Sequence, residues 1–541
     1  MKPIYTAICE HARQSPMQVA IQTIDNDKTT SLTYGQLQRT LSVLHETVET
    51  WQGKRIALYA HNDIDWLILD LALSTVGAVV VPIPLFFSAS QIAHLLQDAQ
   101  IEMVYVGAGL KLPVLDNMAD WVISDTPETN AVKSGQALHI TGSFYQLADT
   151  IIDQTLTAQN SSTASDFCKV TYTSGSTGMP KGVCLGQDTL MRIVESLSGA
   201  LADTLTDNTN NAPEANDTTS NFSHLSVLPF ATLLENVAGV YVSLYMGRTL
   251  VTGRIDQFGL LSNQAFDAKR LMKTVQTHAI ASVILLPQML KAICEHMAAN
   301  GTTKPSTNAA LPSLKFMAVG GGKVSPQLLQ EANALNLPVY EGYGLSECGS
   351  VVSLNTPKAN RTGSVGKPMS HASVSIADSG EVMVKGNAMQ GYLNHDDSND
   401  DDGIIATGDI GHLDDDGYLH ITGRRKNVLI SSFGRNISPE WVEAQLSTQP
   451  IIYQVAILGD GEPHLSAVIV ANPNMIATSI DPQSAIEQAI YVVNQTLPDY
   501  ARIKQWHLAE QPFSTDNELL TDNGKLRRAH IFTAYQSALG L

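Results

Sequence analysis

Between Lys169 and Gly182 the chain reads Lys-Val-Thr-Tyr-Thr-Ser-Gly-Ser-Thr-Gly-Met-Pro-Lys-Gly, and no other stretch restricts the fold so tightly. Its first residues alternate in polarity, which predicts a β-strand. A run of small hydroxyl and glycine residues follows and is closed by Lys181. Glycines let backbone N–H groups approach an anion, hydroxyls add donors, and the lysine adds charge. Thr173, Ser174, Gly175, Ser176, Thr177, Gly178 and Lys181 therefore form a candidate phosphate cradle. It is not a Walker A loop: counted from Gly175, Pro180 stands where the second glycine belongs, and Gly182 follows the lysine instead of Ser or Thr.

Such a loop needs a layered scaffold behind it. Apolar runs at Arg55–Ala60, Ile101–Val106 and Ala281–Leu286 read as strands, and they alternate with helix-like segments at Ile92–Ala99 and Gln288–Met297. That order predicts mixed α/β layers. With 541 residues, more than one core is expected. A boundary falls near Gly423-Arg-Arg-Lys-Asn427, giving a large domain over 1–425 and a small one over 426–541. Polar stretches at Thr206–Ser223, Asn300–Pro312 and His395–Gly403 read as loops.

Charge and cysteine content exclude several classes of function. A net charge of −19 opposes general binding to nucleic acid or anionic lipid, so any phosphate site has to be built locally. The five cysteines are scattered and form no C-x-x-C pair, which argues against a disulfide framework and a zinc site. The N-terminus has no signal-like run. The most apolar stretch, Trp66–Phe87, is interrupted by Asp70, Gly77, Pro82 and Pro84, so it reads as a buried helix and the strand Ala78–Val81 instead of a membrane span. A cytoplasmic location is expected, with peripheral membrane contact left open.

The phosphate cradle is followed, in order, by Gly320-Gly-Gly322, Tyr343-Gly-Leu-Ser-Glu347, Thr407-Gly-Asp409 with Gly423-Arg424, and Asn523-Gly-Lys525. Together they resemble the motif series of the adenylate-forming superfamily, which holds acyl-CoA synthetases, luciferases and peptide-synthetase adenylation domains. The resemblance implies a large N-terminal domain of layered sheets and helices, a small mobile α+β C-terminal domain, and ATP and Mg²⁺ as cofactors. It places Gly320, Gly321, Gly322, Tyr343, Gly344 and Ser346 around the adenine and the acyl carboxylate, with the Tyr343 ring against the purine. Asp409 is expected on the ribose hydroxyls and Arg424 on ribose or α-phosphate. Glu347 and Thr177 are the implied Mg²⁺ ligands and act in catalysis with Lys525, whose ammonium would bridge the acyl carboxylate and α-phosphate. Lys426 matches the hinge, and Gly434 would line the path of the thiol.

Leu228-Pro-Phe-Ala-Thr-Leu-Leu-Glu235 resembles the long-chain acyl-CoA synthetase branch of that superfamily. It makes Phe230, Ala231, Thr232 and Gly320 candidates for the acyl pocket. Relatives that activate amino acids place Asp after the aromatic residue; Ala231 would leave a substrate ammonium unpaired, which favours an apolar acid. Thr232 stands where many relatives have His or an aromatic residue, and a turn-capping hydroxyl is its alternative reading. Coenzyme A is the expected acceptor, an acyl carrier protein the alternative, and a nucleotide-binding scaffold without turnover the reading from a different class.

Overall fold

The computed structural model describes residues 2–26, 28–114, 121–123, 141–147, 167–173, 180–204, 222–260, 266–299, 311–394, 403–432, 435–476, 481–521 and 524–541. Most of the three polar stretches read as loops lies outside these residues; Phe222 and Ser223, at the end of the first, are described, and Ser223 opens a strand.

Among the described residues, one sheet has seven strands in the order Trp121–Ile123, Ser143–Leu147, Met103–Val106, Arg55–Tyr59, Val79–Pro82, Lys169–Thr173, Lys181–Leu185. A second has nine, with Ser282–Leu285, Phe316–Val319 and Val339–Leu345 running parallel through its middle. Parallel strands covered on both faces read as continuous apolar runs, and Ser282–Leu285 is buried throughout. The helix Ile64–Val76 shares one apolar core with strands of both sheets. Asp63 caps it by accepting from the Trp66 N–H at 2.8 Å, and Gly77 ends it in the left-handed region. No described helix is long and apolar enough to cross a membrane.

The predicted strand at Lys169 forms, but it is not half-exposed as alternation suggests. Lys169–Tyr172 are all buried, because the strand is flanked by Val79–Pro82 on one side and Lys181–Leu185 on the other. Burial of Lys169 therefore requires partners. Its ammonium lies 2.8 Å from Asp70 Oδ1, 2.5 Å from Asn236 Oδ1 and 2.7 Å from the Tyr241 hydroxyl. The Asp70 contact is an ion contact, not an aligned hydrogen bond, whereas Asp70 Oδ2 accepts from the Tyr241 hydroxyl at 2.5 Å and Asn236 Nδ2 at 3.2 Å. Thr173 pairs with Lys181 in antiparallel register, so the phosphate cradle is the connection of a β-hairpin.

Toward the C-terminus a four-stranded antiparallel sheet, ending in Ile404–Leu413 and Leu419–Arg424, precedes a smaller unit. There Ile452–Leu458, Leu465–Ala471 and Ile503–Leu508 form a sheet packed with the helices Pro439–Leu446 and Pro482–Thr496 around their own core, including Val442, Ile457, Ile469 and Ile490. Arg528, at the start of the last helix, donates to the buried Glu443 carboxylate, with Nη2 to Oε2 at 2.6 Å. The large layered N-terminal part and small α+β C-terminal part match the expected fold class.

Candidate functional site

A cavity of about 2570 Å³ collects most of the motif residues that the structure describes. Thr173, Gly320, Gly321, Gly322, Tyr343, Gly344, Ser346 and Lys525 line it, together with Phe230, Ala231 and Thr232. A second cavity, about 700 Å³, is bordered by Glu347, Tyr392, Thr407, Arg424 and Lys426. Ser174, Gly175, Ser176, Thr177, Gly178 and Gly434 lie outside the described residues.

The glycine triplet follows the buried strand Phe316–Val319. Only Gly321 has a positive φ, +79°, where a side chain would be strained. A Cβ on Gly320 or Gly322 would meet protein atoms only at 3.4 and 3.5 Å, so the protein itself leaves room at those two positions. That space belongs to the cavity wall, which is the close backbone approach expected of a ligand cradle.

Gly344 is restricted differently. Its strand, Val339–Leu345, bulges against Ser350–Leu354, and a Cβ on Gly344 would fall 1.7 Å from the Ser350 carbonyl oxygen. Backbone cannot yield as a side chain does. Gly344→Ala is expected to lower unfolding stability by about 1–3 kcal/mol, the usual range for overpacking. It should also remove the thermal stabilisation given by ATP; thermal unfolding with and without the nucleotide measures both effects.

Tyr343 and Arg424 converge on Asp409 from different elements. The Tyr343 hydroxyl donates to Asp409 Oδ2 at 2.6 Å, and Arg424 Nε lies 2.7 Å from Oδ1. Burial and the neighbouring Asp409 carboxylate push the Tyr343 phenol well above its ordinary range, so it remains a donor. Asp409 itself is buried at the start of a cross-strand pair with Arg424. Direct contacts thus bring together the three side chains expected around ribose and purine.

Lys525 sits in a tight turn: the Thr521 N–H donates to the Lys525 carbonyl at 2.7 Å, and the Lys525 N–H to Thr521 Oγ1 at 3.0 Å. Its side chain reaches solvent, yet protein surrounds it on the cleft side. That crowding, then the positive charge of Arg424, pushes its ammonium below the usual lysine range, while Asp409 and Glu347 oppose the shift. Lys426 is lowered for the same first two reasons. Lys525 lines the same cavity as Gly320, Gly321, Gly322 and Tyr343, which brings the near-terminal motif to the others.

On the side expected to hold the acyl group, Phe230 is buried with its ring 5.3 Å from that of Trp66, and its N–H donates to Asn62 Oδ1 at 2.8 Å. Thr232 Oγ donates to the Pro229 carbonyl at 2.7 Å, so its hydroxyl caps a turn. Leu234–Tyr241 is a π-helix, a form frequent at functional sites. It carries Glu235 into the interior, where the carboxylate contacts His224 Nε2 at 2.9 Å and accepts from the Leu228 N–H at 3.2 Å. Leu197, Leu201, Leu234, Ala238, Val242 and Val351 add aliphatic wall.

Several residues at the site were given no role by any motif read from the sequence. Tyr392 donates to Glu347 Oε1 at 2.8 Å; Arg425 Nη1 donates to Glu381 Oε2 at 2.9 Å. Lys291, on the helix Pro287–Ala299, reaches the Ile452 carbonyl at 2.9 Å, and Lys323 reaches those of Ile421 and Thr422 at 3.2 Å. Each pair is separated widely along the chain. A lone basic or aromatic residue gives no local signal for such a partner.

The donor set suits the implied Mg²⁺. Glu347 provides one carboxylate at the edge of a cavity, and a hard ion held largely by phosphate oxygens and water needs little more from protein. Among the described residues no group of three His, Cys, Asp or Glu side chains is gathered to hold an ion without such a ligand.

Comparison with known proteins accords with this geometry. A long-chain-fatty-acid--CoA ligase, FadD15 of Mycobacterium bovis, is 26% identical over 98% of this chain and 95% of its own length. A 2-succinylbenzoate--CoA ligase of Listeria monocytogenes is also 26% identical, over 82% of this chain and 85% of its own. Among solved structures, o-succinylbenzoate CoA synthetase (MenE) of Bacillus subtilis with its acyl-adenylate intermediate superposes with a TM-score of 0.71 at 20% identity, covering 97% of each chain. The model of the AMP-binding enzyme C-terminal domain matches residues 426–539. The AMP-binding enzyme model itself matches residues 8–393, most of the chain, and the protein belongs to that family.

Proposed function

We propose that the protein activates a carboxylic acid with ATP and transfers the acyl group to the thiol of coenzyme A. The observation that carries this reading is that Lys525 lines one cavity, partly aliphatic, with Gly320, Gly321, Gly322 and Tyr343, whose hydroxyl donates to Asp409. In the first step a carboxylate oxygen attacks the α-phosphorus, the bond to pyrophosphate breaks, and acyl-AMP forms. In the second, the thiol sulfur attacks the acyl carbonyl and AMP leaves.

Each residue then has a task. Asp409 and Arg424 hold ribose and α-phosphate, the Tyr343 ring lies against the purine, and the glycine triplet admits the acyl carboxylate. Lys525 stabilises the charge that builds on the transferring phosphoryl group. Lys181 and the hydroxyls before it hold the outer phosphates. Glu347 and Thr177 would hold Mg²⁺, which when bound neutralises the phosphate charge. The chain divides between residues 425 and 426, Lys426 is the hinge of a mobile C-terminal domain, and Gly434 borders the thiol path.

The preferred acid is a fatty acid or another apolar carboxylic acid, supported by Ala231 and the aliphatic lining. An acid with a second carboxylate is the other reading, because several relatives of similar identity are 2-succinylbenzoate ligases. A panel of straight-chain acids and 2-succinylbenzoate, followed by pyrophosphate exchange and then by mass detection of thioesters with coenzyme A, separates them. Exchange with fatty acids and a matching acyl-CoA product is expected. Exchange only with the dicarboxylate rejects the fatty acid; acyl-AMP accumulating without thioester rejects coenzyme A in favour of a carrier protein; no exchange with any acid rejects ligase activity.

A further inference from the structure

Tyr392 joins two parts of the phosphate side that lie far apart in sequence. Its hydroxyl donates to Glu347 Oε1 at 2.8 Å, and the Lys181 ammonium lies 5.0 Å from the centroid of its ring. The backbone on both sides is fastened to the strand that leaves the phosphate cradle: the Cys184 N–H donates to the Gly391 carbonyl at 3.0 Å and the Leu393 N–H to the Gly182 carbonyl at 2.7 Å. The same segment holds the turn of Glu347, since the Met389 N–H donates to the Glu347 carbonyl at 2.7 Å. Both ends of the Tyr392–Glu347 hydrogen bond are therefore fixed by main chain.

We infer that Tyr392 is a positioning residue that restricts Glu347 to one-oxygen ligation of a divalent cation and so favours Mg²⁺ over Ca²⁺; this rests on the proposed role of Glu347. Mg²⁺ demands near-octahedral coordination and keeps its waters, which a carboxylate offering a single oxygen satisfies. Ca²⁺ accepts more ligands and takes carboxylates through both oxygens as readily as through one. With Oε1 engaged by the tyrosine hydroxyl, the second mode is opposed. The ring has a separate effect, as its face attracts the Lys181 ammonium.

Removing only the hydroxyl separates the two contributions. The test is calorimetric binding of a non-hydrolysable ATP analogue to the intact chain with Mg²⁺ or Ca²⁺, supported by electron paramagnetic resonance of bound Mn²⁺. Tyr392→Phe is expected to reduce the Mg²⁺-to-Ca²⁺ affinity ratio about tenfold, the scale of one hydrogen bond to a charged group, with an unchanged unfolding temperature. Tyr392→Leu should in addition weaken nucleotide binding with either cation. Glu347→Gln should weaken binding with both cations. An unchanged ratio in Tyr392→Phe, with Glu347→Gln weakened, overturns the role of Tyr392 alone. Cation-dependent binding unaffected by Glu347→Gln overturns the ligand assignment beneath it as well.

Discussion

Lys525→Ala is expected to reduce acid-dependent pyrophosphate exchange by about 10²–10³-fold, the scale of removing one preorganised donor from a site of developing charge. Thioester formation from supplied acyl-AMP should largely survive. The asymmetry follows from the proposed role: the Lys525 ammonium serves phosphoryl transfer in the cavity it shares with the glycine triplet and Tyr343, and attack by the thiol is not proposed to use it. Measuring the two half-reactions separately is the decisive comparison. Equal loss of both would remove the assigned role and make the Thr521–Lys525 turn a folding element.

Lys169→Met should produce the largest change in stability, about 3–5 kcal/mol, as when one partner of a buried ion pair is removed. Asp70 is only 1% exposed and would lose the cation that faces it. The remaining bonds from Tyr241 and Asn236 compensate in part. Adding Asp70→Leu to Lys169→Met should recover much of the loss, because the uncompensated charge disappears with its carboxylate. Denaturant unfolding of the intact chain checks both variants. A single variant as stable as the parent would show that the pair is dispensable. Since Lys169 begins the strand that leads into the phosphate cradle, nucleotide affinity should fall along with stability.

The same lysine shows where sequence reading stopped. An alternating Lys-Val-Thr-Tyr-Thr run suggests a strand with one wet face. The strand is present, but the partners that let its polar residues be buried lie at Asp70, Asn236 and Tyr241. Pattern within a window cannot reveal a contact between windows. The motif residues were legible for a different reason: they stand as an ordered series of short signatures, within which Gly321 alone of its triplet needs a positive φ and Gly344 has no room for a Cβ beside the Ser350 carbonyl. The Tyr343–Asp409–Arg424 grouping was expected only through resemblance, and its direct hydrogen bonds were not foreseen. Glu235 was noted as the end of a motif, yet its pairing with His224 depends on the π-helical turn that rotates it inward.

The hairpin that holds the phosphate cradle has an electrostatic consequence. Lys181–Leu185 returns as a strand, so the cradle does not open directly onto a helix whose amide dipoles would supply a permanent positive end. Attraction for the nucleotide then rests on side-chain charge, from Lys181 on the hairpin itself and from cations on other elements. With the proposed hinge at Lys426, Arg424 stays with its cross-strand partner Asp409, whereas Lys525 belongs to the small C-terminal part, so its share of the positive potential would depend on where that part sits. On the proposed hinge motion Lys525 would leave while Lys181 and Arg424 stay, so the nucleotide would be held by fewer cations after the first step than during it.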